Sequence, residues 1–225
     1  MNKFDIEKLL SQKVINSEIY KNALTHRSAS NKNNERLEFF GDAILGFIIA
    51  EYLYKHFPND DEGSLSRKRS YLVRKETLSK IATFYNIGSK VILGQGERKS
   101  GGNRRDSIIS DTLEALIAVV YIIDGPEEAK LFIHKIFEKQ INTLPNNDDL
   151  KDSKTKLQEL LQSHNCNLPQ YETEETNIDR KITFNTLCKI EEHSICENGI
   201  GLNKRKSQQE AASKAYKKVL EIYKK

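Results

Sequence analysis

Two segments of this chain are apolar around most of a helical circumference, and this feature limits the possible folds most. The first, RLEFFGDAILGFIIAEYLYKHF, has apolar residues at helical spacing, among them Leu37, Phe40, Ile44 and Phe47, and then becomes apolar on nearly every side. The second, RRDSIISDTLEALIAVVYIIDG, is equally apolar and ends near a Gly-Pro pair. Such helices avoid water, so we predict a mainly helical domain with the first segment at its centre.

The pattern between and after these segments predicts further helices. SLSRKRSYLVRKETLSKIATFY predicts one helix, with Ser64 as its N-terminal cap. EEAKLFIHKIFEKQI predicts another helix, which closes the helical region. TLPNNDDLKD follows and is polar, with a proline and paired Asn and Asp, which is typical of a linker. We therefore predict an N-terminal domain over residues 1–145 and a linker over residues 146–152.

The periodicity changes after the linker. RKITFNTLCKIEEHS alternates between two faces, as a strand does, and one face carries Ile182, Phe184, Thr186, Cys188 and Ile190. YETEET and SICENGIGL are weaker strand candidates, and SKTKLQELLQSH and KRKSQQEAASKAYKKVLEIYKK predict helices on either side. Residues 153–225 therefore predict a small α+β domain with the order α-β-β-β-α.

Composition narrows the class of protein. The formal net charge is +4 and the three cysteines include no C-x-x-C pair, so a reduced compartment is favoured over a disulfide framework or a zinc site. The N-terminus lacks the apolar core of a signal peptide. The longest apolar run, ALIAVVYII, is far shorter than the roughly 18 residues that a membrane span needs. We expect a soluble, cytoplasmic protein without a membrane partner.

Carboxylates at helical spacing lie on both apolar helices. Glu38 and Asp42 are four residues apart, and Asp111 and Glu114 are three apart, so each pair shares one helix face. If the helices pack together, the four anions converge and raise one another's pKa, unless a divalent cation neutralises them. Hard oxygen ligands favour Mg²⁺ or Mn²⁺. The alternative is solvent-exposed acids paired with Lys or Arg, the commoner arrangement for any single pair.

Several other polar residues have two interpretations. Glu35 and Glu62 lie near helix ends, where they support a metal site or simply favour the helix dipole. His26 in LTHRSAS is catalytic or, more commonly, a structural hydrogen-bonding group near a helix start. In the loop ERKSGGNRRDS, four cations either contact phosphates or are solvated: Arg98, Lys99, Arg104 and Arg105.

The motif NERLEFFGD resembles the signature of bacterial ribonuclease III. The similarity continues through LTHRSAS, DEGSLSRKRSYLVR, KSGGNRRDSIISDTLEALIAVVY and the C-terminal pattern, in the expected order and over nearly the whole chain. Phe40 is a mild departure, because leucine is usual there. The resemblance implies a ribonuclease III fold and a homodimer that cuts both strands of double-stranded RNA. It also implies 5′-phosphate and 3′-hydroxyl ends, short 3′ overhangs, and a role in processing ribosomal RNA precursors and other structured transcripts.

The resemblance also implies roles for individual residues. It implies a set of four acids that bind Mg²⁺, with Mn²⁺ as a substitute: Glu38, Asp42, Asp111 and Glu114. Asp42 and Glu114 match the positions tied most directly to catalysis, and Glu35 and Glu62 match accessory acids. Phe39 matches an aromatic residue that packs into the partner subunit of the family's homodimer. Without the resemblance, ordinary core packing of Phe39 is an equal alternative.

Positive charge is concentrated at the C-terminal end. Residues 203–225 hold eight Lys or Arg and two Glu. A Gly-rich turn precedes Lys204, Arg205 and Lys206 at a predicted helix start, where cations oppose the helix dipole and suggest recruitment of an anion. A solvated amphipathic helix is the alternative.

The α-β-β-β-α pattern with this basic turn resembles the double-stranded RNA-binding domain. The resemblance implies that Gln158 and Glu159 contact the minor groove and that the basic turn grips phosphates across the major groove. The loop TNIDRKI lacks the usual His and Pro, so we predict a weaker phosphate contact there from Arg180 or Lys181. Ser207 and Gln208 replace the more usual alanine and acidic residue.

Three functional hypotheses follow. The first is an Mg²⁺-dependent endoribonuclease that cleaves duplex RNA as a homodimer. The second is a non-catalytic RNA binder, which would be expected to have lost members of the acidic set, yet all four are present. The third is a phosphohydrolase acting on nucleotides, which the separate RNA-binding pattern disfavours.

Overall fold

The computed structural model describes residues 5–178 and 181–223, without the side chains of residues 178 and 181. The predicted contacts of Arg180 and Lys181 therefore lie outside the described residues. The chain divides into two compact units, one ending at Pro145 and the other beginning at Asn146. In the part of the chain that is described, no helix combines the length and apolarity needed to cross a membrane.

The first unit is helical. Its helices are α1 (Gln12–Ile15), α2 (Glu18–Leu24), α3 (Glu35–His56), α4 (Glu62–Val73), α5 (Lys75–Phe84), α6 (Gln95–Lys99), α7 (Asp106–Asp124) and α8 (Pro126–Asn142), with 3₁₀ turns at Ile6–Leu9, Ile87–Ser89 and Gly102–Arg104. Helix α7 is the most buried, and α3 packs along it. As predicted, α7 ends at a Gly-Pro pair: Gly125 has φ +95°, and Pro126 opens α8.

Helix α3 is less central than its apolar sequence predicts. One face, which includes Ile44, Leu45 and Ile49, is buried in the core. Phe39 and Phe47 are 80% and 70% exposed, so Phe47 lies outside the core although it shares the helical spacing of the buried Ile44. Periodicity indicates that a face is apolar, but the fold of one chain leaves this face of α3 uncovered.

The predicted helix from Ser64 onward is two helices in the structure. Arg74 adopts extended backbone angles, ends α4 and precedes the first residue of α5. The cap of α4 is Asp61, whose Oδ1 accepts a hydrogen bond from the backbone N–H of Ser64 at 2.6 Å. The carboxylate of Asp61 therefore takes the role expected of the Ser64 hydroxyl.

The second unit confirms the predicted order of helix, three strands and helix. It contains α9 (Asn147–Leu150), α10 (Ser153–Ser163), β1 (Gln170–Ile178), β2 (Lys181–Ile190), a 3₁₀ turn (Glu191–His193), β3 (Ile195–Gly201) and α11 (Lys204–Tyr223). The short helix α9 lies within the interval predicted as a linker. The sheet is antiparallel in the order β1-β2-β3.

The core of the second unit lies between the sheet and α10 and α11. Cys188 and Ile190 of β2 are buried with Leu157, Leu161 and a row of small residues from α11. Ile182, on the same predicted face of β2, is 52% exposed. Burial is therefore confined to the second half of this strand.

Candidate functional site

Helices α3 and α7 touch at the level of their backbones. A Cβ atom built on Gly41 would lie 1.8 Å from the carbonyl oxygen of Glu114, so a side chain at position 41 has no room. Glu38 and Asp42 lie beside this glycine on α3, and Asp111 lies one turn before Glu114 on α7. Gly41 thus brings the two predicted acid pairs onto facing turns.

Three of these acids form a compact group. Glu38, Asp111 and Glu114 each offer a carboxylate oxygen within 4.8 Å of the others. Glu114 is 8% exposed; its burial, followed by the charges of Asp42 and Asp111, raises its pKa to about 8. Burial, followed by the charge of Asp111, also raises the pKa of Glu38. We refer to Glu38, Asp111 and Glu114 as the carboxylate group.

Asp42 stands outside the carboxylate group. Its side chain is exposed to solvent. Its charge nevertheless has the largest effect of any neighbouring charge on the pKa of Glu114. The predicted convergence of four acids therefore takes the form of three adjoining carboxylates with a fourth close enough to repel them. The metal-binding and catalytic roles of the four acids stay predictions.

The chemistry of the carboxylate group fits a hard divalent cation. Its oxygens are the ligand type preferred by Mg²⁺ and Mn²⁺, and Mg²⁺ sites commonly combine a few carboxylates with water and phosphate oxygens. Burial, followed by the charges of neighbouring carboxylates, raises the pKa of Glu38 and of Glu114, so their ionisation here needs compensation by positive charge. A bound divalent cation would supply the missing compensation.

A recess of about 480 Å³ lies beside two members of the carboxylate group, Glu38 and Asp111. Glu35 also lines it and pairs with Arg27 at 3.4 Å. The Nδ1 atom of His26 accepts a hydrogen bond from the Ser28 N–H at 3.2 Å and lies 2.8 Å from Ser28 Oγ. The Ser28 hydroxyl in turn accepts a hydrogen bond from the Gly94 N–H at 3.0 Å. His26 is therefore hydrogen-bonded within its own loop at the rim of the recess, and its role stays a prediction.

Glu62 and the basic loop occupy separate positions. Glu62 is exposed on α4, where it accepts a hydrogen bond from Ser66 Oγ at 2.7 Å, and it is not part of the carboxylate group. Of the four loop cations, Arg105 lines the recess and pairs with Glu97 at 2.8 Å. Arg98, Lys99 and Arg104 are exposed.

Lys75 is a charged neighbour of the carboxylate group that neither the periodicity nor the motifs indicated. Its Nζ lies 3.4 Å from Asp111 Oδ1, and its charge lowers the pKa of both Glu38 and Glu114. A cation in the first turn of a helix is locally unfavourable, which is the one available sequence signal. The sequence does not show that a new helix begins after Arg74, so only the structure identifies Lys75 as a first-turn residue.

The basic turn of the second unit lies at the start of α11. Lys204, Arg205 and Lys206 are exposed, and Asn203 Oδ1 accepts a hydrogen bond from the Lys206 N–H at 2.9 Å, as a helix cap does. A Cβ atom on Gly201 would lie 2.4 Å from the nitrogen of Ser207, so glycine permits the close approach of β3 to α11.

The other predicted RNA contacts lie on α10. Gln158 and Glu159 are both exposed there. Glu159 pairs with Lys151 at 2.6 Å. The RNA-binding roles of these residues and of the basic turn stay predictions.

The structure accounts for the two unusual residues on α11. Ser207 Oγ lies 2.7 Å from Thr186 Oγ1 on β2, which lies 2.9 Å from Thr173 Oγ1 on β1. Gln208 Nε2 donates a hydrogen bond to Thr173 Oγ1 at 3.3 Å. Ser207 and Gln208 therefore belong to one polar network. The two threonines are hydrogen-bonding partners for these side chains, whereas an alanine at position 207 would have no such group to satisfy.

Comparisons with known proteins agree with both units. Residues 16–141 match the family model described as Ribonuclease-III-like, and residues 153–219 match the double-stranded RNA binding motif. Ribonuclease 3 of Buchnera aphidicola subsp. Acyrthosiphon pisum is 46% identical over 93% of both chains. Ribonuclease 3 of Histophilus somni is 42% identical over 95% of this chain and 96% of that relative.

A solved structure gives the same assignment for the first unit. The nuclease domain of ribonuclease III from Campylobacter jejuni is 38% identical, with a TM-score of 0.56 over 61% of this chain and 99% of that one. In that nuclease domain, the region involved in dimer formation shows structural flexibility. Together with the family models and curated relatives, it assigns this chain to the ribonuclease III family of endoribonucleases, with a double-stranded RNA-binding domain after the nuclease domain.

Proposed function

We propose that this endoribonuclease requires Mg²⁺, with Mn²⁺ as a substitute, and cuts both strands of duplex RNA. The products carry 5′-phosphates, 3′-hydroxyls and short 3′ overhangs. Ribosomal RNA precursors and other structured transcripts are the proposed substrates, and the cytoplasm is the proposed location, because these RNAs are made there in bacteria.

The carboxylate group is the observation that carries this proposal. Its three oxygens lie within 4.8 Å of one another, and burial, followed by the charges of Asp42 and Asp111, raises the pKa of Glu114 to about 8. Glu38, Asp111 and Glu114 would hold the cation, with Asp42 at its edge. When bound, Mg²⁺ supplies an activated water and neutralises charge on the scissile phosphate.

The chain's own residues prepare the site for this chemistry. Gly41 fixes the spacing of α3 and α7, so the carboxylates are positioned before substrate arrives. Burial, followed by the charges of Asp42 and Asp111, raises the pKa of Glu114 to about 8, and a bound cation would favour its ionised form. In the proposed hydrolysis a water oxygen bonds to phosphorus, the bond from phosphorus to the 3′-oxygen breaks, and that oxygen leaves as a hydroxyl.

A homodimer explains how one kind of site cuts two strands. Twofold symmetry presents two identical sites to the antiparallel strands of a duplex. The exposed Phe39 and Phe47 on α3 support this arrangement, because a second subunit would bury them. An apolar groove next to them, lined by Ala43, Ile44 and Tyr121, can receive an aromatic side chain from a partner.

The second unit is proposed to hold the duplex by charge and shape. Lys204, Arg205 and Lys206 at the start of α11 would contact phosphates across the major groove, and Gln158 and Glu159 on α10 would contact the minor groove. Such binding depends on released counterions, so it should weaken steeply with salt.

Incubation of the purified chain with an end-labelled RNA duplex tests the proposal. Parallel reactions contain Mg²⁺, Mn²⁺ or EDTA, and the single strands serve as controls. We expect metal-dependent fragments from the duplex alone, with 5′-phosphates and staggered ends. An intact duplex that is bound in Mg²⁺ would instead support a non-catalytic RNA binder. Competition by a nucleotide would favour a nucleotide phosphohydrolase.

A further inference from the structure

Tertiary packing, not local preference, places Lys75 beside the carboxylate group. It is the first residue of α5, at the corner where Arg74 interrupts the helical path. The corner is braced by Thr77 Oγ1, which donates a hydrogen bond to the Tyr71 carbonyl at 2.7 Å, and by the Arg74 guanidinium, which lies 4.2 Å from the centre of the Tyr71 ring. A cation in the first turn of a helix opposes the helix dipole, so the helix itself does not explain why Lys75 lies here.

The explanation is the charge on the facing helix. Lys75 Nζ lies 3.4 Å from Asp111 Oδ1, and Lys75 is 65% exposed while Asp111 is 23% exposed. The same ammonium opposes the effect of burial and neighbouring acids on Glu38 and Glu114. One cation therefore acts on all three carboxylates. Its flexible four-carbon chain, largely in water, can turn away without opening any buried contact.

We propose that Lys75 is a displaceable counter-cation of the carboxylate group. It reduces the repulsion among Glu38, Asp111 and Glu114 when no divalent cation is bound, and it moves away from Asp111 when one binds. Lys75 is thus a positioning residue that competes with the metal and lowers the affinity of the site. This inference rests on the proposed function, in which the carboxylate group binds Mg²⁺.

Metal binding by the full chain without RNA tests the inference. Wild type, Lys75→Gln and Lys75→Arg are freed of metal and titrated with Mn²⁺ and Mg²⁺ by calorimetry at low ionic strength. Lys80→Gln is the matched control, because Lys80 is an exposed lysine on the same helix and lines a different groove. We expect Lys75→Gln to bind about tenfold tighter, from loss of one like charge close to the ion. Lys75→Arg and Lys80→Gln should bind as wild type does.

Thermal unfolding gives a second readout that does not depend on catalysis. Without metal, Lys75→Gln should have a lower Tm than wild type, since the carboxylates then lack their counter-cation. Saturating Mg²⁺ should raise the Tm of Lys75→Gln by more than it raises that of wild type, because a ligand stabilises more when it binds more tightly. If Lys75→Gln fails to fold, Lys75→Ala serves the same comparison.

The outcomes separate this inference from the proposed function. Unchanged or weaker metal affinity in a folded Lys75→Gln protein would overturn the role of Lys75, even if wild type cuts duplex RNA with Mg²⁺. A wild-type chain that binds neither ion and leaves duplex RNA intact would overturn the proposed function itself. Tighter binding in Lys75→Gln, with both controls unchanged, supports the counter-cation.

Discussion

The two units of this chain treat like charges in opposite ways. The nuclease unit gathers carboxylates beside its core, where burial raises the pKa of Glu114 to about 8. The RNA-binding unit displays Lys204, Arg205 and Lys206 on its surface. Buried like charges destabilise a fold and create a strong demand for a counter-ion, whereas exposed ones are hydrated and bind polyanions reversibly. In the proposed function, chemistry belongs to the carboxylate group beside the core and RNA binding to the exposed cations.

Glycine serves the same purpose in both units. Gly41 lets α3 approach the backbone of α7, and Gly201 lets β3 approach the start of α11. In each case the glycine lies beside the charged residues that the contact positions. The comparison predicts that the geometry of both sites depends on backbone contact as well as on the charged side chains.

The largest expected effect comes from removing the buried charge. Glu114→Gln should reduce single-turnover cleavage of duplex RNA by about a thousandfold or more, because the proposed cation ligand is lost while the side-chain shape is kept. Gel-shift affinity for the duplex should stay within a factor of about two, since binding resides in the other unit. Glu62→Gln, outside the carboxylate group, is the control and should lose far less cleavage activity. Cleavage near the wild-type rate by Glu114→Gln would contradict the division of labour.

Gly41→Ala tests the backbone contact in the nuclease unit. The added Cβ would lie 1.8 Å from the Glu114 carbonyl oxygen, so α3 and α7 must separate. We expect a loss of about 1–3 kcal/mol or more in unfolding free energy, measured by urea denaturation, together with loss of cleavage.

Gly46→Ala is the matched control on the same helix. A Cβ atom on Gly46 would meet nothing within 4 Å. The unfolding free energy of this variant should be about 0.5–1 kcal/mol higher than that of wild type, because alanine is the better helix former. Equal stabilities for the two variants would refute the close approach at Gly41.

Phe39 tests whether the exposed apolar face of α3 is a subunit interface. Phe39→Asp should convert a dimer to a monomer in sedimentation experiments, with the dissociation constant of the dimer raised by at least about tenfold. The monomer's own fold should persist, since Phe39 is 80% exposed. Leu168→Asp, at a 53% exposed apolar position in the second unit, should leave the dimer intact. A Phe39→Asp protein that remains dimeric would remove this face from the interface.

The basic turn should affect binding more than chemistry. Lys204→Ala with Arg205→Ala should weaken duplex binding and lower the slope of log affinity against log salt by about two, one for each lost phosphate contact. Removing the same charge at the other end of α11, with Lys217→Ala and Lys218→Ala, should change the slope less. Cleavage at saturating duplex should persist in both variants. Identical slopes for the two pairs would show that only net charge matters.

The smallest effect is a pH dependence of stability in the metal-free protein. The folded-state pKa of Glu114 is about 8, against an ordinary value of 4.5, so the folded state binds the Glu114 carboxyl proton more strongly than the unfolded state does. The Glu114 contribution to stability is therefore present below about pH 4.5 and is lost as the pH rises to about 8.

Thermal unfolding of wild type and Glu114→Gln across this pH range measures that contribution. Without metal, the Tm of Glu114→Gln should rise relative to that of wild type as the pH rises from 5 to 8. Mg²⁺ should reverse this relative rise, because the ion compensates the wild-type carboxylate. A Tm difference that is independent of pH would contradict the raised pKa.

Local sequence determined much of this protein. The end of α7 at Gly125 and Pro126, the strand period of β2, and the placement of the acids on one face of α3 and one of α7 all follow from neighbours along the chain. The family resemblance rests on the same short motifs, so the fold and the class of enzyme could be predicted without a structure.

Tertiary structure alone decided which of these residues meet. It placed Glu38 with Asp111 and Glu114 and left Asp42 beside them, exposed Phe39 and Phe47, and broke one predicted helix at Arg74. That break brings Lys75 to Asp111, 36 residues further along the chain. Periodicity records which side of a helix is apolar or charged, but it carries no information about which distant segment will pack there. The distances between charges, and hence their pKa values, depend on that packing.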